Sequence, residues 1–208
     1  SAQTLFENPT DISEYTDGSS TACFGNLVIN MTGAGILQLL PDGFSNLGGT
    51  PKQLTHQDLI LRDNGNTQAL CAGSFNVVIG RDLITESTYG VNATFAPTSG
   101  AFTGALTVKG NFVHSAPRTF TIANNSNAGS TMAFNVLGDM TINPATTGTL
   151  NINGNVNTVT TVNLSGDLSV TSAGLLSAAS GTVSANKFNF VGNGVAVPAN
   201  IQTINVAS

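Results

Sequence analysis

Apolar residues recur along this chain at every second position, in short runs that close on a glycine followed by asparagine or aspartate. The phrase reads Phe24-Gly25-Asn26-Leu27, Val108-Lys109-Gly110-Asn111-Phe112, Val136-Leu137-Gly138-Asp139-Met140, Leu164-Ser165-Gly166-Asp167-Leu168 and Val191-Gly192-Asn193-Gly194-Val195. Weaker copies stand at His56-Gln57-Asp58-Leu59 and Gly80-Arg81-Asp82-Leu83. Alternation with a period of two is the pattern of a strand with one buried face. It predicts a first strand at Phe75-Asn76-Val77, Phe134-Asn135-Val136, Val162-Asn163-Leu164 and Phe188-Asn189-Phe190, each ahead of a glycine marker. A second strand follows the marker at Leu83-Ile84, Phe112-Val113, Met140-Thr141-Ile142 and Leu168-Ser169-Val170. A third is read at Phe120-Thr121-Ile122, Leu150-Asn151-Ile152 and, weakly, Val183-Ser184-Ala185.

The markers fall at 26, 58, 82, 111, 139, 167 and 193, so the intervals are 32, 24, 29, 28, 28 and 26. A recurrence at about 28 residues signals units that bury their apolar faces against their neighbours in a stack. Three short strands in each unit make one coil of a parallel β-helix. The expected fold is therefore an all-β solenoid of seven coils, roughly 34 Å long at about 4.8 Å per coil. At each corner the glycine is expected to take a positive φ. The residue beside it bonds to local backbone, and stacking aligns Asn26, Asn111, Asp139, Asp167 and Asn193 in one ladder beside the turn glycines Gly25, Gly110, Gly138, Gly166 and Gly192. Asp139 over Asp167 is a like-charge contact, mildly unfavourable unless a backbone N–H or a cation is shared. A β-sandwich is the competing architecture, because closely spaced turn signals fit it too.

Residues 1–22 carry Glu7, Asp11, Glu14 and Asp17, have few apolar residues after Phe6, and read as an N-terminal arm or cap. The solenoid domain spans 23–208; its repeat is regular from about 75 to 197 and interrupted before that by Pro41-Asp42-Gly43 and Gly48-Gly49-Thr50-Pro51.

Composition supports strands over helices. Ser, Thr and Asn make 69 of the 208 residues, and charged residues only 8 %, against about 25 % in ordinary domains. The wet faces are thus hydroxyl and amide. A net charge of −5, with six scattered cations, argues against nucleic acid. No apolar run is long enough for a membrane helix, which takes roughly 20 residues. The opening Ser1-Ala2-Gln3 suits a processed product. Cys23 and Cys71 are candidates for a disulfide in an oxidising compartment; the alternative is two buried thiols.

The unit Phe134-Asn135-Val136-Leu137-Gly138-Asp139-Met140-Thr141-Ile142, with its copy Val162–Val170, resembles repeats of large secreted bacterial adhesins and autotransporter-like passengers. The resemblance covers residues 75–197 and implies an extracellular or cell-surface structural role. Partners would be other copies, neighbouring domains of a larger surface protein, or surface carbohydrate.

Two further readings belong to other classes. A filament subunit would donate residues 1–22 or the final Ile201–Val206 strand to the edge of the next copy. A carbohydrate-active β-helix enzyme would need clustered carboxylates, for which Asp58, Asp63 and Asp82 with Arg62 and Arg81 are the best set. An ordinary ion-paired rim is the reading preferred for them. His56 and His114 lack a nucleophile motif and read as surface or strand-edge histidines. No P-loop, Gly-x-Ser-x-Gly or His-Glu-x-x-His occurs, and neither cofactor nor metal is expected. The sequons at Asn30, Asn92, Asn124 and Asn163 are as many as chance supplies, and Thr158, Thr160 and Thr161 do not recur at the repeat period as an ice-binding array would require.

Overall fold

The computed structural model describes residues 3–7, 24–31, 35–38, 52–63, 67–71, 75–86, 93–97, 101, 103–123, 128–155, 157–177, 186–192 and 204–206. Every regular element among them is a strand. The chain begins with β1 (Gln3–Glu7), β2 (Asn26–Met31) and β3 (Gly35–Gln38). The next coils are β4 (Lys52–Thr55), β5 (Leu59–Asp63), β6 (Thr67–Cys71), then β7 (Phe75–Ile79), β8 (Leu83–Thr85), β9 (Ala93–Pro97). They continue with β10 (Thr103–Val108), β11 (Phe112–His114), β12 (Thr119–Thr121), and β13 (Ser130–Val136), β14 (Met140–Ile142), β15 (Gly148–Asn151). The last are β16 (Thr158–Leu164), β17 (Leu168–Val170), β18 (Gly174–Ser177), β19 (Lys187–Phe190) and β20 (Ile204–Val206).

These strands build three sheets. The first runs β4-β7-β10-β13-β16-β19, the second β1-β2-β5-β8-β11-β14-β17-β20, and the third β3-β6-β9-β12-β15-β18. From β2 onward every third strand therefore returns to the same sheet, one rung further along. The described pairings are all parallel. A β-sandwich, whose sheets are antiparallel, is thereby ruled out, and the fold is a parallel β-solenoid.

From Leu59 through Leu83, Phe112 and Met140 to Leu168, the chain winds through about four full turns in unbroken register. Seven were expected from seven markers. The shortfall lies at the ends, where the second sheet continues through strands whose coils lack one or more sides among the described residues. Other expectations also shift. The third strand after Val170 is Gly174–Ser177, paired with Gly148–Asn151, whereas Val183–Ala185 lies outside the described residues. The strands β2 to β6, from the part of the chain that looked irregular, join the same three sheets; a register shift between Gln53 and Thr55 absorbs part of the irregular spacing.

Alternation decides what is buried. Leu27, Leu59, Leu83, Phe112, Met140 and Leu168 form one inward column. Val77, Leu106, Phe134 and Val162 form another on the first sheet. Large and small residues interleave: Phe134 sits between Leu106 and Val162, and its ring meets Phe112 edge-on at 5.4 Å.

Candidate functional site

The residues that recur most strictly converge on the corner between the first and second sheets. There each asparagine or aspartate accepts, on its Oδ1, the backbone N–H of its counterpart one coil later. The bonds run from Asp58 N to Asn26 (3.1 Å), Asp82 N to Asp58 (3.2 Å), Asn111 N to Asp82 (2.7 Å), Asp139 N to Asn111 (2.8 Å) and Asp167 N to Asp139 (2.9 Å). Together they make one continuous ladder from Asn26 to Asp167. Asn26, Asn111, Asp139 and Asp167 take their expected places, and Asn193 lies outside the described residues. Asp58 and Asp82, read as weaker copies, are full rungs. At the Asp139–Asp167 stack the Asp167 backbone N–H donates to Asp139 Oδ1, so a backbone N–H is shared where two carboxylates are neighbours.

The glycines act differently from the expectation. Of the expected turn glycines Gly192 does take a positive φ (66°), as does Gly129 (85°) outside that set, but Gly110, Gly138 and Gly166 do not. What these three supply is room. A Cβ on Gly138 would run into Asn111 Oδ1 and come within 2.7 Å of the Gly110 carbonyl group; Gly110 and Gly166 face the same collision with Asp82 and Asp139. The backbone row Gly25, Gln57, Arg81, Gly110, Gly138, Gly166 is itself hydrogen-bonded, each N–H to the carbonyl one coil before. Where the row carries glycine, the ladder bond beside it is 2.7–2.9 Å; where it carries Gln57 or Arg81, the bond is 3.1 or 3.2 Å. Glycine thus lets the carboxamide or carboxylate tuck against the next coil. We expect Gly138→Ala to cost about 2 kcal/mol, an overpacking penalty against backbone that cannot rotate away. Urea unfolding measures it, and Gly129→Ala, with nothing within 4 Å of its Cβ, is the control for φ strain alone.

The candidate acidic cluster divides. Arg81 forks onto Asp58, with Nε to Oδ1 at 2.6 Å and Nη2 to Oδ2, and this guanidinium holds the Asp58 carboxyl below the usual carboxylate range. Arg62 turns to Glu86 instead, at 2.6 and 2.9 Å. The Asp63 side chain lies outside the described residues, as do Cys23 and the Cys71 side chain. Among the described residues no three His, Cys, Asp or Glu converge to hold a metal ion, and no helix is long and apolar enough to cross a membrane.

A second polar ladder climbs the outer face of the first sheet. Asn135 Nδ2 donates to Thr107 Oγ1 (3.1 Å), Asn163 to Asn135 Oδ1 (2.8 Å) and Asn189 to Asn163 Oδ1 (2.9 Å). A third polar group, His114, corrects the sequence reading: it is not at the surface but fully buried, because alternation from Phe112 points it inward. Its Nε2–H donates to the Arg118 carbonyl at 3.0 Å, so Nδ1 accepts from the Thr85 hydroxyl at 2.7 Å. Burial pushes its pKa down to about 4.

No protein-family model matches this chain, and neither a curated protein nor a solved structure does so.

Proposed function

We propose that the chain is a non-enzymatic structural or adhesive module of an extracellular surface protein or fibre. The observation that carries this reading is the corner ladder, in which the most recurrent polar side chains bond to the next coil. Side chains that serve chemistry keep a donor, acceptor or lone pair free for substrate. Here the recurring carboxylates and amides tie coil to coil, so force along the stack is resisted at every rung by backbone and side chain together. The outer faces fit the same role. Thr107, Asn135, Asn163 and Asn189 line the first sheet with uncharged groups, which suit contacts with neighbouring chains or carbohydrate. Antibody labelling of intact cells tests the location. Labelling without permeabilisation is the expected result; labelling only after permeabilisation sinks the extracellular reading.

A further inference from the structure

The C-terminal end of the stack exposes core. Leu176 is 39 % and Phe190 38 % exposed, and beside them the outward-facing Leu175 and Val191 add apolar surface at 51 % and 54 %. Register shows why: Leu176 stands one rung past Leu150, and Phe188 and Phe190 one rung past Val162 and Leu164, and those three preceding residues are fully buried. Leu176, Phe188 and Phe190 thus hold interior positions with no described rung above them. Among the described residues no strand pairs with the outer edges of β18 and β19, each the last strand of its sheet. Asn189 ends the amide ladder, donating downwards to Asn163 while its Oδ1 receives no bond from a described residue. Open edges of this kind pair with another chain.

We propose that two copies of this chain join at these ends about a twofold axis through Asn189. The coil climbs one strand spacing per turn, so β18, β19 and β20, the last strands of the three sheets, form three ascending steps. A half-turn about the middle step lays β19 antiparallel on its copy and sets β18 of one protomer one strand spacing from β20 of the other. All three sheets then continue across the junction. The chemistry is self-complementary too. An asparagine amide carries both donors and an acceptor, so the two Asn189 groups pair reciprocally, while Phe188 of one copy comes opposite Phe190 of the other. Lys187 is the sole charge in the three strands, and this register sets it opposite Val191. The two ammonium stems start about 14 Å apart at about 3.4 Å per residue, beyond the screening length of physiological salt. A twofold contact closes on itself, whereas head-to-tail contact grows into fibres; this inference is independent of the function proposed above.

Light scattering on the full 208-residue chain at micromolar concentration tests it. The expected particle has twice the 21.2 kDa chain mass and no higher species. Asn189→Asp, on the outward face of an edge strand, sets two carboxylates against each other at pH 7. It should weaken the dimer at least tenfold, with molar salt restoring part of the loss and an unchanged circular dichroism spectrum. A monomeric wild type, a ladder of longer polymers, or an Asn189→Asp variant that dimerises as well as wild type would each overturn the proposal.

Discussion

Phe112→Ala lowers the stability of the protein by about 4 kcal/mol, the cost of removing a large aromatic side chain from a core that relaxes only partly. Phe112 is fully buried in mid-stack. Its ring contacts Phe120 at 5.6 Å and meets Phe134 edge-on at 5.4 Å, so one substitution removes two aromatic contacts along with the buried area. The hole cannot be filled from above or below. Leu83 and Met140 are held one strand spacing away by parallel pairing, and the corner ladder pins the chain immediately before Phe112 through Asn111. The melting temperature should fall by roughly 8–16 °C for a chain of this size. Leu176→Ala, at the exposed end, should cost under about 1 kcal/mol. A loss below about 1 kcal/mol at Phe112 in urea unfolding would show that these rings do not share a dry interior.

Acid should weaken the fold through His114. The folded-state pKa of about 4 lies below the ordinary 6.5, so the unfolded chain binds the extra proton between those values and stability falls as pH drops through that window. The contribution is complete above pH 6.5 and is lost progressively towards pH 4, amounting to about 3 kcal/mol. Burial dominates the shift because the groups that bond the imidazole are neutral: the Thr85 hydroxyl and the Arg118 carbonyl. No described carboxylate is hydrogen-bonded to the ring to stabilise an imidazolium. His114→Gln keeps a donor for Arg118 and an acceptor for Thr85 without a titrating group. Its urea midpoint should change less between pH 7 and pH 4.5 than the wild-type midpoint does; equal slopes in the two proteins would remove His114 as the cause. Carboxylates such as Asp58 titrate in both proteins, so the difference isolates the histidine.

The corner was legible in the sequence because its constraint falls on residue identity. A short acceptor at the ladder position and an absent side chain beside it leave Gly-Asn or Gly-Asp as a visible mark at 110–111, 138–139 and 166–167. Where the structure relaxes that constraint, the mark fades. Gln57 and Arg81 occupy the glycine row with longer ladder bonds, and the rungs at Asp58 and Asp82 looked weak for that reason. β18 was missed because Leu175 and Leu176 are adjacent, breaking the alternation. Gly110, Gly138 and Gly166 were read as conformational when their role is steric, a distinction that depends on the coil below and leaves no local trace. His114 carried a signal that went unused: it sits two residues after Phe112, in phase with the buried face.

Stretching single molecules from their two ends probes how the coils are held together, since that is a mechanical property. If each coil is held to its neighbours by its own ladder bonds and core contacts, the middle of the stack should give way in steps. Each step should release one coil of about 28 residues, or about 90–100 Å of extended chain. Removal of the whole stack in a single event, or steps unrelated to the coil length, would contradict a rod built and held coil by coil.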